Sequence, residues 1–474
     1  MKLQNTTVAR AVQTDVLVAG GGIAGCAAAL AAARGGTNVT LLESGGCLGG
    51  QAGFGLVTPL SAHRTRDGRS FGGIIEELAQ ESATLSDRYC TANREGESFH
   101  GPASPHILKY LLLKKLVDAN VNIRFHTIIT SAETNGARVK SVCAFDKSGF
   151  CTFTANTFID ATGDADLIAL TGAEFVLGSE ANVFSAFDGT DLAKRHFSDE
   201  TYDAYDSGHM QPVSIFFIMG GVDYEKAAAL NNKRLCFGDL GITRERFEAW
   251  PFANTCGFEI ADDRIPMPQG RVLVSPGTRP DMAVINMSRV IGIDGSNADS
   301  LNDGEIRAQL QLVAIVDFLQ TFIPGFEHSY YIQSACSLGV RESRRLVGRH
   351  ILTGVEAIHC IPQPDVIARG SYIIDIHDPR GKRGAIGGPV QGAFYDIPYG
   401  CLLAREYDNL LACGRCISVD HVAHSSTRIQ GTCALTGQAA GTAAAMALYQ
   451  GCAPCDLEVS ALQQQLRIDG VFLD

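Results

Sequence analysis

Three glycines, Gly20, Gly22 and Gly25, form G-x-G-x-x-G, and Glu43 follows 18 residues after the last of them. This spacing suits a dinucleotide. Gly20 permits a tight turn, Gly22 lets the backbone approach a pyrophosphate, and Gly25 lets a helix lie close on a strand. A helix opening at Ile23 and Ala24 offers unpaired N–H groups and a partial positive charge to phosphates. Glu43, with Ser44 beside it, is placed to accept hydrogen bonds from ribose hydroxyls. A 2′-phosphate there would meet a carboxylate and be repelled, which disfavours NADP.

Other residues have the chemistry to move a proton or hold an anion. His377 lies between Asp375 and Asp378, where a carboxylate would hold its tautomer and raise its pKa, as a general base near neutral pH requires. A structural histidine satisfied by those aspartates is the alternative. His421 follows a strand ending at Gly414 and is a second candidate base, or a residue behind the site. Arg341, Arg344 and Arg345 read as one strand, with Arg341 and Arg345 on one face and Arg344 on the other. One face would present a fork to a carboxylate or phosphate; a salt bridge to Glu342 is the competing role. Tyr399 is a weaker candidate donor, more simply a core tyrosine. Cys413 and Cys416 form C-x-x-C, either a redox pair or two buried thiols.

The elements that position these residues follow from the apolar pattern. Val16–Ala19 and Val39–Leu42 read as buried parallel strands flanking an alanine-rich helix, Ile23–Arg34, stopped by Gly35-Gly36. Residues 44–60 hold six glycines, with Gly49, Gly50, Gln51 and Ala52 among them, so the backbone is built to pass close to something flat and large. A nicotinamide dehydrogenase would run on into another helix here; the glycine loop points to a flavin. His106–Ala119 reads as a helix introduced by Pro102 and Pro105, followed by strands over 121–125, 128–133, 138–145 and 151–158 with an Asn135-Gly136 hairpin turn. Ala161, Thr162 and Gly163 end an apolar strand, the place where open α/β sheets bind ligands. Asp303–Phe322 reads as a helix capped by Asp303, with Ile306, Leu310, Leu312 and Val313 toward a core. Residues 431–449 form a small-residue helix whose start could face the anionic edge of a reduced flavin.

Composition narrows the class. The chain has 474 residues, 46% of them hydrophobic, so two or three domains are expected. A net charge of −12 argues against a general nucleic-acid surface. No apolar run near the start is long enough for a signal peptide or a membrane span. The 15 cysteines are scattered without zinc or iron–sulfur spacing, which reads as reduced thiols in a cytoplasm and no metal site.

These segments resemble the FAD-dependent oxidoreductase family with a glutathione-reductase-type FAD domain. More narrowly, they resemble the bacterial FAD_oxidored group, related to the flavoproteins of fumarate reductase and of heterodisulfide reductase. The matching stretches are 20–25 with Glu43, 160–166, 211–223, 339–348, 371–378, 396–399, 409–418 and 432–444. The resemblance implies an α/β, Rossmann-like FAD-binding domain at 10–175 and 386–450, an inserted mixed α+β substrate or cap domain at 176–385, and a C-terminal extension at 451–474. It places Gly20, Gly22, Gly25 and Glu43 on the ADP half of FAD, and Gly49 to Ala52 on the flavin and ribityl chain. Ala161 to Gly163 would lie by the diphosphate and Ile129 by adenine. Gly414 and Arg415 would meet the ribityl phosphate, and Thr432, Cys433 and Ala434 the pyrimidine edge. Ser426, Arg428 and His421 match positions near the flavin. His424 departs from the small or apolar residue usual there, and the long helical capping domain of fumarate reductase is missing. The expected activity is hydride transfer from a small hydroxylated or carboxylated metabolite to the flavin, with the electron acceptor and a possible homo-oligomer left open. The alternatives are a disulfide reductase using Cys413 and Cys416, and an FAD-bearing electron-transfer component of a multi-protein redox complex.

Overall fold

The structure is a computed structural model that describes residues 10–57, 60–89, 104–181, 186, 187, 190, 207–381 and 385–474. Its centre is a five-stranded sheet with the order Leu410–Ala412, Thr157–Asp160, Val16–Ala19, Val39–Leu42, Asn122–Arg124. Every neighbouring pair is parallel. All residues of the strands Val16–Ala19, Val39–Leu42 and Thr157–Asp160 are buried, as continuous apolar runs in a parallel sheet require.

The Ile23–Arg34 helix runs between the two central strands, and the 21-residue helix Gln430–Gln450 lies against it. Small residues make that contact possible. A Cβ at Gly437 would come within 2.1 Å of the Ala24 carbonyl oxygen, and one at Gly441 within 2.1 Å of that of Ala28. A Cβ at Gly25 would stand 1.9 Å from the Gly20 carbonyl oxygen. The two helices therefore meet backbone to backbone.

A second sheet orders Arg10–Gln13, Gly149–Thr154, Arg138–Asp146 and Ile128–Asn135. The single strand expected over 151–158 is two strands in two sheets. Gly149–Thr154 alternates between buried and partly exposed residues, whereas Thr157–Asp160 is wholly buried. Ala155-Asn156 is where the chain leaves a half-exposed sheet for the central one. The expected helix after Pro105 spans Pro105–Asp118; Pro102 lies outside the described residues.

A separate apolar core is built on the antiparallel sheet Val274–Pro276, Met282–Ile285, Phe217–Gly220, Tyr330–Ser334. The helix Ala298–Phe322 covers it through Ala308, Leu312, Ile315, Phe318, Leu319 and Phe322. Trp250 sits among Phe258, Phe318 and Phe322, with ring centroids 5.0 to 6.0 Å apart. This helix starts five residues before the expected Asp303, and Asn297 caps it by accepting the Ser300 N–H at 3.0 Å. Of its expected inward residues only Leu312 is buried; Ile306, Leu310 and Val313 are 52, 69 and 56% exposed. Two apolar stripes run along the helix, and the aromatic cluster selected the other.

This core draws on Val213 to Val340 together with Leu56, while Leu346, Ile374, Ile376 and Ile386 join the core of the central sheet. No helix among the described residues is long and apolar enough to cross a membrane.

Candidate functional site

The carboxyl ends of the parallel strands open into a cavity of about 1200 Å³ that continues to the second core. Gly20, Gly22, Ile23, Ala24, Glu43 and Ser44 line its first end. Gly20 has φ +103°, and a Cβ there would stand 2.4 Å from the Ala161 carbonyl oxygen. A Cβ at Gly22 would meet nothing within 4 Å, so this residue looks onto open cavity. Gly22 also starts the Ile23–Arg34 helix, with no side-chain cap and no acidic residue in the first turn. The Glu43 carboxylate is buried and accepts the Gly21 N–H at 2.8 Å and the Gly45 N–H at 2.6 Å. It ties the glycine loop to the strand end while facing the cavity.

Gly49, Gly50, Gln51 and Ala52 come next along the lining, with Ile129, Ala161, Thr162 and Gly163 nearby. Asp160, fully buried, organises the last three: it accepts the Thr162 N–H at 2.9 Å, the Thr162 hydroxyl at 2.7 Å and the Ile168 N–H at 2.9 Å. Gly414, Arg415, Arg428 and Cys433 close this side. Arg415 pairs with Asp164 at 2.8 Å and lies across Gly163, where a Cβ would come within 2.9 Å of its guanidinium.

Beyond them the cavity is lined by Arg341, Tyr372, Asp375, His377 and Arg428. The His377 ring Nε2 is 3.4 Å from Asp375 Oδ2, and its backbone N–H donates to Gln211 Oε1 at 3.1 Å. Burial and the Arg341 charge outweigh Asp375 and push the His377 pKa down to about 4. The expected upward shift is thus reversed, because burial penalises the charged ring and Arg341 adds to that penalty, together outweighing Asp375. Burial acts to raise the Asp375 carboxyl, but His377 and Arg428 overcome it and hold the group well below the usual range. Arg341 is buried and donates to the Pro212 carbonyl oxygen at 2.5 Å. Burial and the repulsion of Arg428 lower its pKa to about 9.

Over residues 15–466 the chain matches the family described as FAD dependent oxidoreductase. The protein belongs to this family. No curated protein matches it. Among solved structures, similar chains include a geranylgeranyl bacteriochlorophyll reductase-like protein from Thermoplasma acidophilum, at 12% identity over 97% of this chain and 83% of that one, with a TM-score of 0.43. Another is the p-nitrophenol 4-monooxygenase of Pseudomonas putida, at 10% identity over 96% and 84%, TM-score 0.43. A flavin-dependent brominase matches at 12% identity over 96% and 83%, TM-score 0.43.

The cofactor of this oxidoreductase is FAD, and the residues present fit it. The open space at Gly22, the uncapped helix start and the buried Glu43 together form the cradle an ADP group needs. Several expected site residues stand elsewhere. Gly25 stands off the cavity against the Gly20 carbonyl, in the close helix–strand packing that its place in the motif predicts. Thr432 and Ala434 flank Cys433 on the buried sides of their helix and do not line the cavity. Ser426 is held by the Tyr395 hydroxyl and the Tyr372 carbonyl, each at 2.7 Å, and supports the wall from behind. His421 is fully buried outside the lining, its Nδ1 2.7 Å from Glu342 Oε1.

The arginines also divide differently from the expected alternation, because only Arg344–Leu346 is strand. Arg345, wholly buried, pairs with Glu342 and Glu180. Arg344 lines the cavity but is paired with Asp166 and donates to the Asp164 carbonyl at 2.8 Å. Arg341 alone of the three reaches the cavity without an ion pair among the described residues. Cys413 and Cys416 are free, and burial pushes both thiols well above their ordinary range. Sequence reasoning gave no role to Tyr372, a lining residue, or to Gln211, which fixes the His377 backbone, although both lie in stretches that carry the family resemblance, 371–378 and 211–223.

Proposed function

We propose that this oxidoreductase takes hydride from a small hydroxylated or carboxylated metabolite, with Arg341 holding the substrate anion and His377 taking the proton. Arg341 carries the reading: a buried cation facing the cavity, beside Arg428, with a carbonyl as its hydrogen-bond partner. A substrate carboxylate would supply the missing counter-charge in bidentate form. FAD, when bound, supplies the hydride acceptor.

His377 is neutral at pH 7 and so is already in the base form. Arg341 is the second cause of its low pKa, so a bound anion that offsets Arg341 raises the basicity of His377 as the substrate arrives. Asp375 holds the ring and is itself approached by Arg428 at 3.6 Å. The glutathione-reductase type of FAD domain is supported by the meander over 128–154 returning to the Thr157–Asp160 strand of the parallel sheet. The free thiols support the cytoplasmic setting.

Anaerobic stopped-flow bleaching of the flavin with a panel of hydroxy acids tests the assignment. His377→Ala should slow flavin reduction ~10²–10⁴-fold with FAD retained. Arg341→Ala should weaken substrate binding ~10–100-fold, the worth of a charged hydrogen-bonded contact, and Arg341→Lys should restore part of it. Unchanged bleaching in the His377 variant would make that histidine structural.

A further inference from the structure

The cavity runs past Arg341 and His377 onto the sheet of the second core. Asn286 donates its N–H to the Leu273 carbonyl at 3.0 Å, so the two are cross-strand neighbours. The pairing of Phe217 with Ile285 extends one step to set Phe216 opposite Asn286. Leu273, Asn286 and Phe216 therefore form one row across three strands, and all three line the cavity with Leu301 and Ser214. The row is apolar at both ends and polar in the middle.

Three buried polar atoms along this stretch have no hydrogen-bond partner among the described residues: Asn286 Oδ1, Ser214 Oγ and Gln51 Oε1. Ser214 is 2% exposed. The orientation of the Gln51 amide is set, because Nε2 donates to the Leu338 carbonyl at 3.2 Å and leaves Oε1 as the open acceptor. A buried polar atom left without a partner is costly, and three along one stretch of the cavity wall mark a place a ligand completes. The cradle of the ADP half stands on the other core, around Gly20, Gly22 and Glu43.

We infer that this chamber binds the body of the substrate, an apolar chain or ring bearing a hydroxyl or amide N–H part-way along, joined to the anionic end that Arg341 takes. The inference rests on the reading of Arg341 above. The open group at Gln51 is an acceptor and takes a donor on the ligand, and the Asn286 amide, whose side chain makes no hydrogen bond among the described residues that fixes its orientation, can meet either end of a ligand amide. Leu273, Phe216 and Leu301 supply the apolar walls.

The test is isothermal titration calorimetry of the FAD-loaded protein with unreactive ligands: acetate, hexanoate, decanoate, and ω-acetamido acids of matched length. Affinity should rise about 3–4-fold per methylene, following ~0.8 kcal/mol per buried CH₂, until the chamber is full. An acetamido acid should bind about tenfold tighter than its plain counterpart at one length, and Asn286→Ala should erase that preference. Leu273→Asp should abolish the length dependence. Length-independent affinity in the wild-type protein overturns the chamber and leaves the Arg341 clamp standing. Affinities unchanged by Arg341→Ala overturn the clamp instead.

Discussion

Gly22 and Gly25 lie in the same motif and carry different loads. At Gly22 an added side chain meets open cavity, so Gly22→Val should fold normally, yet its branches would occupy the pyrophosphate path. The purified variant should be colourless, with unchanged circular dichroism; full flavin content would move the ADP site elsewhere. At Gly25 the added Cβ would stand 1.9 Å from a backbone oxygen, so Gly25→Val should lose the fold itself and yield little soluble protein. The thiols are a second case of residue environment deciding role. Burial keeps Cys413 and Cys416 protonated, and the thiolate is the reactive form. Cys413→Ser and Cys416→Ser should each leave turnover within a few-fold of wild type. A loss of about a hundred-fold, ~2.7 kcal/mol of barrier, with FAD still bound would restore a redox role.

Among the elements, the short helix His421–Thr427 shows how a buried carboxylate joins two helix starts. Asp420 caps it by accepting the Ala423 N–H at 2.7 Å and also accepts the Gly354 N–H, the start of the Gly354–His359 helix, at 2.6 Å. Burial raises the Asp420 pKa to about 6, against those two hydrogen bonds. A carboxyl whose folded pKa lies above its unfolded value contributes stability that is full below the unfolded pKa and is lost as pH rises through the folded one. Wild type should therefore lose stability relative to Asp420→Asn between about pH 4 and pH 6, since asparagine keeps the cap without the charge. Asp420→Ala should cost about 1–2 kcal/mol because the cap is gone. Urea midpoints of the three proteins at about pH 4.5 and pH 7.5 read both effects; a wild-type-to-Asn difference that does not move with pH would refute the shifted carboxyl.

At the scale of the whole molecule, two apolar cores share one cavity, and FAD binding is coupled to their stability. A ligand that binds only the folded chain stabilises it by RT ln(1 + [L]/Kd), ~2.7 kcal/mol at a hundredfold excess over Kd. The melting temperature of the stripped protein should rise with added FAD and that of Gly22→Val should not. A melting curve of stripped wild-type protein indifferent to FAD would separate the cavity from the cofactor.

The dinucleotide end was legible in the sequence because its parts are contiguous. Val16–Ala19, Ile23–Arg34 and Val39–Leu42 stand at the expected residues, since a buried strand, a glycine turn and a small-residue helix are each specified by near neighbours. The substrate end was only partly legible. His377 and Arg341 were named from residue type, but their state depends on the tertiary environment: burial first, and then the charge of Arg341, drive the His377 pKa down, where its sequence neighbour Asp375 acts to raise it. Arg345 and His421 carry the same chemistry as Arg341 and His377, yet Glu342 holds both in a buried hydrogen-bonded network away from the cavity. In the Ala298–Phe322 helix the sequence offered two apolar stripes, and only the aromatic cluster around Trp250 chose between them. Local propensity and spacing set the elements and the cofactor cradle; which side chains face the cavity, and with what charge, was decided by the packing of residues far apart in the chain.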